Sequence, residues 1–285
     1  MKKILLGLLC TLSYFSAFAG EPKSEALPFV QLDFSPASLA MGSTRIASAA
    51  VLPLQDNVFR GGVFYQSYMP DFSGTKYIGA GAAGKYQDFG VSFAFTRGTG
   101  EEISSPEFTP TEILVNLGAA YGIGNFAAGL NVKYAKERIL SDYSHSAIAA
   151  DIFAAYRSGG FDIAGGISSI GQKVESESTG EFGLPSATSL CGGYTLGFGK
   201  HTLGARARAD YFFSGSISAG AGVEYCYSGM ILARGGYHYG GDTVIPSFAS
   251  AGLGLCFAGF TFDAAYLFAS DVLGGTFAIS AGVKF

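Results

Sequence analysis

The sequence predicts an all-β fold in which about 14 antiparallel strands close into a transmembrane outer-membrane β-barrel, preceded by an N-terminal plug-like segment. Three observations indicate this fold. Large apolar residues alternate with small or polar ones, most clearly at residues 260–268 and 277–285, and a period of two sends the two sets to opposite faces of a strand. Only 14% of the residues are charged, beside 42 Gly, 25 Phe and 16 Tyr, whereas soluble domains have about a quarter charged. Short and longer connections alternate along the chain, as is typical of barrels in outer membranes.

The amino terminus predicts export. Two lysines are followed by an apolar run and by an A-x-A motif at residues 17–19, which together form the pattern of a cleaved secretory signal peptide. We therefore expect a signal peptide at residues 1–19 and a mature chain from Gly20. No second apolar run approaches the length of a spanning helix. The exported chain is then either periplasmic or a barrel, and the scarcity of charge favours the barrel.

Residues 20–59 do not have the pattern of barrel wall, because they lack a credible pair of lipid-facing strands. We expect this N-terminal segment to be periplasmic or to act as a plug, with part of residues 35–50 entering the lumen from the periplasmic side. The plug candidates are Leu39, Met41 and Gly42. Glycine-rich inner faces of the wall would leave room for them. The alternative is a periplasmic tail with one additional strand.

The barrel itself is predicted at residues 60–285. Its strand-like stretches lie near residues 61–69, 75–86, 89–97, 112–123, 126–138, 146–157, 161–169, 188–198, 201–212, 216–227, 230–239, 247–257, 260–268 and 277–285. Every second connection is a tight turn, as at residues 124–125, and the others are mostly longer, as at residues 98–111, 139–145 and 170–187. Tight turns face the periplasm in such barrels, so we expect both termini there.

The final strand carries a predicted assembly signal. Phe285 ends the chain on the apolar face of that strand, and the closing Val-Lys-Phe resembles the terminal strand that outer-membrane assembly machinery reads. The expected partners of the wall are therefore outer-membrane lipid and the barrel-assembly machinery. The net charge of −4 argues against a nucleic-acid partner.

Charged residues within the strands face the lumen by the same alternation. They are Arg206, Arg208, Asp210, Glu224, Arg234 and Asp263. A hairpin centred on residue 215 would place Arg206 opposite Glu224, and one centred on residue 229 would place Arg234 opposite the same glutamate. Opposed unlike charges stabilise strand pairing. This charge ladder is interpreted as bracing of the wall, and the alternative is a substrate contact or gate.

No catalytic, metal or cofactor site is expected. The three histidines, His145, His201 and His238, have neither a metal-ligand spacing nor a nucleophile in a recognisable setting. Residues 79–84 match G-x-G-x-x-G, but they lie inside a predicted strand with no helix after it, whereas dinucleotide binding requires a strand-to-helix turn. An enzyme is therefore not predicted.

The carboxyl-terminal third resembles the PorV/PorQ family of Bacteroidetes outer-membrane proteins, within the FadL-like superfamily. The matching stretches are residues 184–186, 191–194, 230–237, 251–255, 262–266 and 279–285, and residues 40–42 resemble the family's amino-terminal Ala-Met/Leu-Gly segment. The chain departs from the family in being short, and residues 55–59 stand where an Asn-Pro-Ala segment is usual.

The resemblance implies a fourteen-stranded barrel in the outer membrane of a Gram-negative bacterium of the Bacteroidetes. It implies a role in type IX secretion or cell-surface protein handling, with secretion components or cargo as partners. The alternative within the superfamily is a FadL-like channel that imports small hydrophobic molecules past an amino-terminal hatch. A plug that stays closed would suit the first role, and a continuous apolar path through the lumen would suit the second.

Overall fold

The computed structural model describes residues 25–46, 49–56, 59–104, 107–140, 143–176 and 180–285. The predicted signal peptide lies outside these residues. Fourteen antiparallel strands form one closed barrel, which confirms the predicted fold class. The wall strands are β1 (Phe59–Tyr68), β2 (Thr75–Tyr86), β3 (Phe89–Thr99), β6 (Thr111–Ile123), β7 (Phe126–Leu140), β8 (Tyr143–Ser158), β9 (Phe161–Gly171), β12 (Ala187–Phe198), β13 (His201–Phe212), β14 (Ile217–Tyr227), β15 (Ile231–Tyr239), β16 (Phe248–Phe257), β17 (Phe260–Phe268) and β18 (Phe277–Lys284).

The barrel closes between its first and last strands. Each strand pairs with its neighbours in the chain, and β1 pairs with both β2 and β18, with Val63 opposite Ala80 on one side and Ala281 on the other. Backbone hydrogen bonds between Phe59 and Phe285 continue this seam past the end of β18. No wall strand is left with an unpaired edge, which is what removes the need for a covering element.

The two faces of the wall differ as the alternation predicts. On β17, Phe262 and Tyr266 are each 52% exposed, while Ala265 and Leu267 between and beside them are 4% and 1% exposed. Phe262 and Tyr266 therefore point away from the lumen, whereas Ala265 and Leu267 point into it, where both join a buried cluster with Leu39 of the N-terminal segment. An apolar outer face of this kind suits the hydrocarbon of a membrane.

The connections sort into short turns at one end of the barrel and longer loops at the other. Two of the longer connections contain small hairpins, β4 (Ile103–Ser104) with β5 (Glu107–Phe108), and β10 (Val174–Ser176) with β11 (Gly180–Phe182). The predicted loop at residues 139–145 is wrong in extent, because β7 continues to Leu140 and β8 begins at Tyr143. β7 and β8 stay paired with each other past the point where their pairing with β6 and β9 ends, so they form a projecting hairpin in place of the predicted loop.

The N-terminal segment contains little regular structure. Its described residues form two 3₁₀ turns, Pro28–Gln31 and Ala49–Val51, and one short helix, α1 (Pro36–Leu39). Within the described part of the chain, no helix is long and apolar enough to cross a membrane. The segment is nevertheless well buried, since Leu27, Ala40 and Ala50 have no exposed surface.

Candidate functional site

The N-terminal segment runs through the lumen from one end of the barrel to the other. At the end that carries the longer loops, Glu25 forms an isolated bridge to Gly183, in the connection between β9 and β12. Leu27 and Phe29 are buried there against wall residues such as Leu114. Glu25 therefore lies at the end opposite Phe285, and the predicted periplasmic amino terminus at Gly20 lies outside the described residues.

The predicted plug residues lie in the middle of the lumen, at the closest approach between segment and wall. Leu39 packs in a buried cluster with Phe248 and Leu267. Met41 and Gly42 lie on the inner face of β14 and β15, where a Cβ at Gly236 would come within 2.2 Å of the Met41 carbonyl carbon. Glycine is required at such a wall position, because any side chain would displace the segment's backbone.

Some of the other glycines of the wall also make room for the segment, and others do not. Gly118 and Gly129 accommodate the second 3₁₀ turn of the segment, since a Cβ at either would lie 2.7 Å from Ala49 or Ala50. In residues 79–84, by contrast, Gly81 borders a cavity instead of the segment. Only part of the predicted room in the lumen is therefore filled by protein.

Side chains of the wall hold the segment at the short-turn end. The Arg157 guanidinium donates a 2.9 Å hydrogen bond from Nη1 to the Leu54 carbonyl oxygen, and the Lys85 ammonium donates to the Gln55 carbonyl oxygen. These bonds satisfy backbone oxygens of a stretch that has no sheet or helix partner. The chain then enters β1.

The charged residues that the sequence predicted to face the lumen form ion pairs, and one of their carboxylates also ties the segment to the wall. Arg234 donates from Nε to Glu224 and from Nη1 to Asp263, both at 2.6 Å, and Glu224 lies opposite Arg234 in the strand register. Arg45 of the segment approaches the same Glu224 carboxylate at 3.6 Å. The sequence did not indicate Arg45 as a member of this group.

The expected pairing of Arg206 with Glu224 is wrong. Arg206 lies opposite Gly222, because the hairpin turns one residue earlier than predicted and each partner is shifted by two. Arg206 Nη2 instead contacts Asp162 Oδ1 of β9 at 2.6 Å. The guanidinium reaches this carboxylate across the intervening strand β12.

Arg208 and Asp210 pair with each other along one strand. Arg208 contacts Asp210 Oδ1 with Nη2 at 2.8 Å and donates from Nη1 to the Arg45 carbonyl oxygen at 2.9 Å. Ser189 and Ser218 also donate to the Asp210 carboxylate. This group therefore fixes the segment through its backbone, while Glu224 contacts the side chain of the same residue.

A second polar group, on β7 and β8, was missed in the sequence. Asp151 accepts hydrogen bonds from Asn131 at 3.3 Å and from the Ser169 amide at 2.8 Å, and Lys133 pairs with it at 2.9 Å. Asn131 Oδ1 accepts from the Ala49 amide of the segment at 3.2 Å. The sequence signal that could have revealed this group is Asp151, a single carboxylate at an inward position of the alanine-rich strand β8.

Cavities remain around the segment. A cavity of about 310 Å³ lies between the segment and the wall, with an aromatic side formed by residues such as Phe34, Phe64 and Phe212 and a polar side that includes Lys133 and Arg208. A second, of about 500 Å³, lies on the other side of the segment along β1, β2 and β18. No cluster of three or more potential metal ligands occurs among the described residues. The site can therefore be described as a plugged lumen with amphipathic cavities.

Comparison with known proteins places this architecture among solved outer-membrane channels. No protein-family model and no curated protein matches the sequence. The toluene transporter TbuX of Ralstonia pickettii has a similar structure, with 11% identity, a TM-score of 0.60, and coverage of 88% of this chain and 98% of that one. The two chains share the fold of a closed outer-membrane barrel. A monoaromatic hydrocarbon channel, CymD, matches at 12% identity with a TM-score of 0.62, covering 92% of this chain and 99% of its own.

A FadL homologue of Pseudomonas aeruginosa also matches, at 12% identity with a TM-score of 0.50, covering 94% of this chain and 98% of the other. At such identities the likeness shows the fold and does not transfer a substrate. It confirms the fourteen-stranded barrel fold that the family resemblance implied. The PorV/PorQ part has no counterpart among these matches.

Proposed function

We propose that the chain is a FadL-like outer-membrane channel for small, largely apolar molecules, gated by its N-terminal segment. The observation that carries this proposal is the plugged lumen, in which a segment held by polar contacts borders cavities with aromatic sides. Cavities of a few hundred Å³ with apolar walls and a few polar groups are typical of small-molecule sites. The structural likeness to the toluene transporter and the hydrocarbon channel supports the same proposal.

The polar contacts of the segment suit a gate. Arg45 and the backbone at residues 42–55 are bound by wall side chains through single hydrogen bonds and one longer ion pair. Each such contact is worth only about 0.5–3 kcal/mol, so a bound ligand can compensate for the loss of a few of them. Movement of the segment would join the cavities into a path, whereas the wall would keep its hydrogen bonds.

Uptake of a labelled monoaromatic hydrocarbon tests the proposal. The chain is expressed in a Gram-negative host that lacks its own hydrocarbon channels, and initial uptake of toluene is compared with the empty vector. We expect faster uptake with the chain. Equal uptake, with the barrel shown to be assembled by heat-modifiable migration, would contradict the channel function.

The role in type IX secretion implied by the PorV/PorQ resemblance stays a second proposal. Its support is the sequence of residues 230–237 and 279–285, together with a segment that fills much of the lumen. Cargo pull-down from outer membranes of the native bacterium tests it, because a secretion role requires cargo or secretion components to co-purify. The same sequence stretches are the support for proposing that the protein comes from a bacterium of the Bacteroidetes.

A further inference from the structure

Two cations are directly opposed at the short-turn end of the lumen. Arg60 lies opposite Lys284 in the register of β1 and β18, and both line the cavity of about 500 Å³. Like charges directly opposite each other on one face of a sheet destabilise the pairing. Here they also meet at the seam on which closure of the barrel depends.

Neither cation forms an ion pair within the described part of the chain. Among the residues that the structure describes, Arg60 and Lys284 take part in none of the ion pairs. Asp263 also lines this cavity, but its carboxylate is bound by Arg234 at 2.6 Å. The cavity therefore has uncompensated positive charge beside an acid that is already paired.

A third cation adds to this charge from the N-terminal segment. Arg45 lines the same cavity, its side chain is 45% exposed, and it repels Arg60 electrostatically. Its nearest carboxylate, Glu224, is 3.6 Å away and is bound more closely by Arg234, at 2.6 Å. Arg45 thus retains donors for another acceptor.

The same cavity also has an apolar side. Phe34 of the segment and Phe64 of β1 both line it, and their rings stack with centroids 5.5 Å apart. A ligand that met both sides would combine one negative group with an apolar body of about one ring. The volume is within the range of sites for small molecules.

We propose that Arg60, Lys284 and Arg45 bind the carboxylate of a small organic anion whose apolar body packs against Phe34 and Phe64. Guanidinium groups match a carboxylate with two parallel hydrogen bonds, and the lysine adds a compact charge. Binding would relieve the repulsion between the opposed cations. The inference deepens the proposed channel function by naming a substrate class, and it rests on that function for transport but not for binding.

Binding is measured on the mature chain, refolded in detergent at low ionic strength, by titration calorimetry with benzoate. Benzyl alcohol, which has a similar shape and no charge, is the matched ligand. We expect benzoate to bind more tightly than benzyl alcohol. Arg60→Gln and Lys284→Gln should each weaken benzoate binding about tenfold, since each removes a charged hydrogen bond, and should leave the binding of benzyl alcohol unchanged.

Lys173→Gln is the control variant, because it removes one cation that is exposed and paired with Glu181 outside the barrel. It should bind benzoate as the unmodified chain does. An equal loss in this variant, or equal binding of the two ligands by the unmodified chain, would overturn the site. Folding of each variant is checked by heat-modifiable migration, and the comparison of the two ligands on the unmodified chain needs no variant.

The result separates the site from the channel. Preferential benzoate binding without toluene uptake would retain the anion site and remove the channel function. Toluene uptake without preference for benzoate would retain the channel and remove the site. Displacement of benzoate by inorganic phosphate at equal concentration would show an anion site without the apolar contacts, and that result would contradict the proposed ligand.

Discussion

At the scale of single residues, the lumen is organised by charges that reach between strands. Arg234 bonds two acids, Glu224 of the neighbouring strand β14 and Asp263 of β17 across the intervening strand β16. Arg206 likewise reaches Asp162 across β12. The Arg234 side chain is only 5% exposed. Removing one partner of such a group leaves the other partner buried and uncompensated, which is the costly outcome.

A pair of double-mutant cycles tests these contacts. Arg234→Met with Glu224→Met should show a coupling of about 1–3 kcal/mol in the free energy of unfolding, and Arg206→Met with Asp162→Met should show a similar value. The combination of Asp162→Met with Arg234→Met should be additive within about 0.5 kcal/mol, because these residues are several strands apart. Urea unfolding in detergent is the measurement. Coupling in that last combination equal to the first two would mean that the pairs are not distinct.

Strand alternation was sufficient to place the six predicted charged residues on the lumen side, but it could not predict their partners, and Lys133 and Asp151 were missed. A hairpin that turns one residue early moves Arg206 from Glu224 to Gly222, and nothing in the residues around 215 distinguishes the two registers. The contact with Asp162 depends on strand order and side-chain length together. Arg45 lies in a segment without periodicity, so its position in the lumen had no sequence signal.

At the scale of elements, the N-terminal segment packs closely on the inner faces of β14 to β16 because the wall has glycines at the points of contact. A Cβ at Gly222 would lie 2.4 Å from the Met41 carbonyl oxygen, and one at Gly252 would lie 2.4 Å from the Ala40 Cβ. The sequence showed small residues on both partners. It could not show that the segment extends to the longer loops, since the contacts of Leu27 and Phe29 are with residues distant in sequence.

Gly236→Ala should displace the segment. The new Cβ would lie 2.2 Å from the Met41 carbonyl carbon and 2.4 Å from the Gly42 nitrogen, and overpacking of this kind costs about 1–3 kcal/mol. We expect a lower unfolding midpoint and a higher ion conductance in planar bilayers. Gly197→Ala in β12 is the matched control, because its Cβ would meet nothing within 4 Å. Identical behaviour of the two variants would show that the segment does not lie on β15.

At the scale of the whole molecule, one seam completes the barrel. Phe285 accepts a hydrogen bond from the Phe59 amide at 3.2 Å and donates one to the Phe59 carbonyl oxygen at 2.9 Å. The Phe285 side chain is 68% exposed on the outer surface. The first and last residues of the wall therefore contact each other directly and close the barrel.

Phe285→Asp should impair assembly more than an equivalent change elsewhere on the outer surface. A charge on the lipid-facing surface costs up to a few kcal/mol, depending on depth, and here it also alters the predicted assembly signal. Phe257→Asp is the control, since Phe257 is another aromatic residue, 71% exposed at the short-turn end. We expect lower outer-membrane abundance and less heat-modifiable protein for the first variant only. Equal abundance of both would contradict a special role for the last residue.

The last prediction concerns closure of the lumen. A barrel of fourteen strands is wide enough to conduct ions if nothing fills it, and the segment fills the middle of this one, where Leu39, Ala40 and Met41 are at most 4% exposed. The mature chain should therefore show little steady conductance in planar bilayers. A variant lacking residues 20–54 should show a large, steady conductance.

An intermediate variant weakens the attachment of the segment at the short-turn end without removing the segment. Arg157→Gln removes the hydrogen bond to the Leu54 carbonyl oxygen while keeping the whole segment, so it should produce brief openings between the two extremes. Steady conductance of the intact chain would contradict the plug. A truncated barrel that assembles and stays closed would mean that the wall or the longer loops, and not the N-terminal segment, close the lumen.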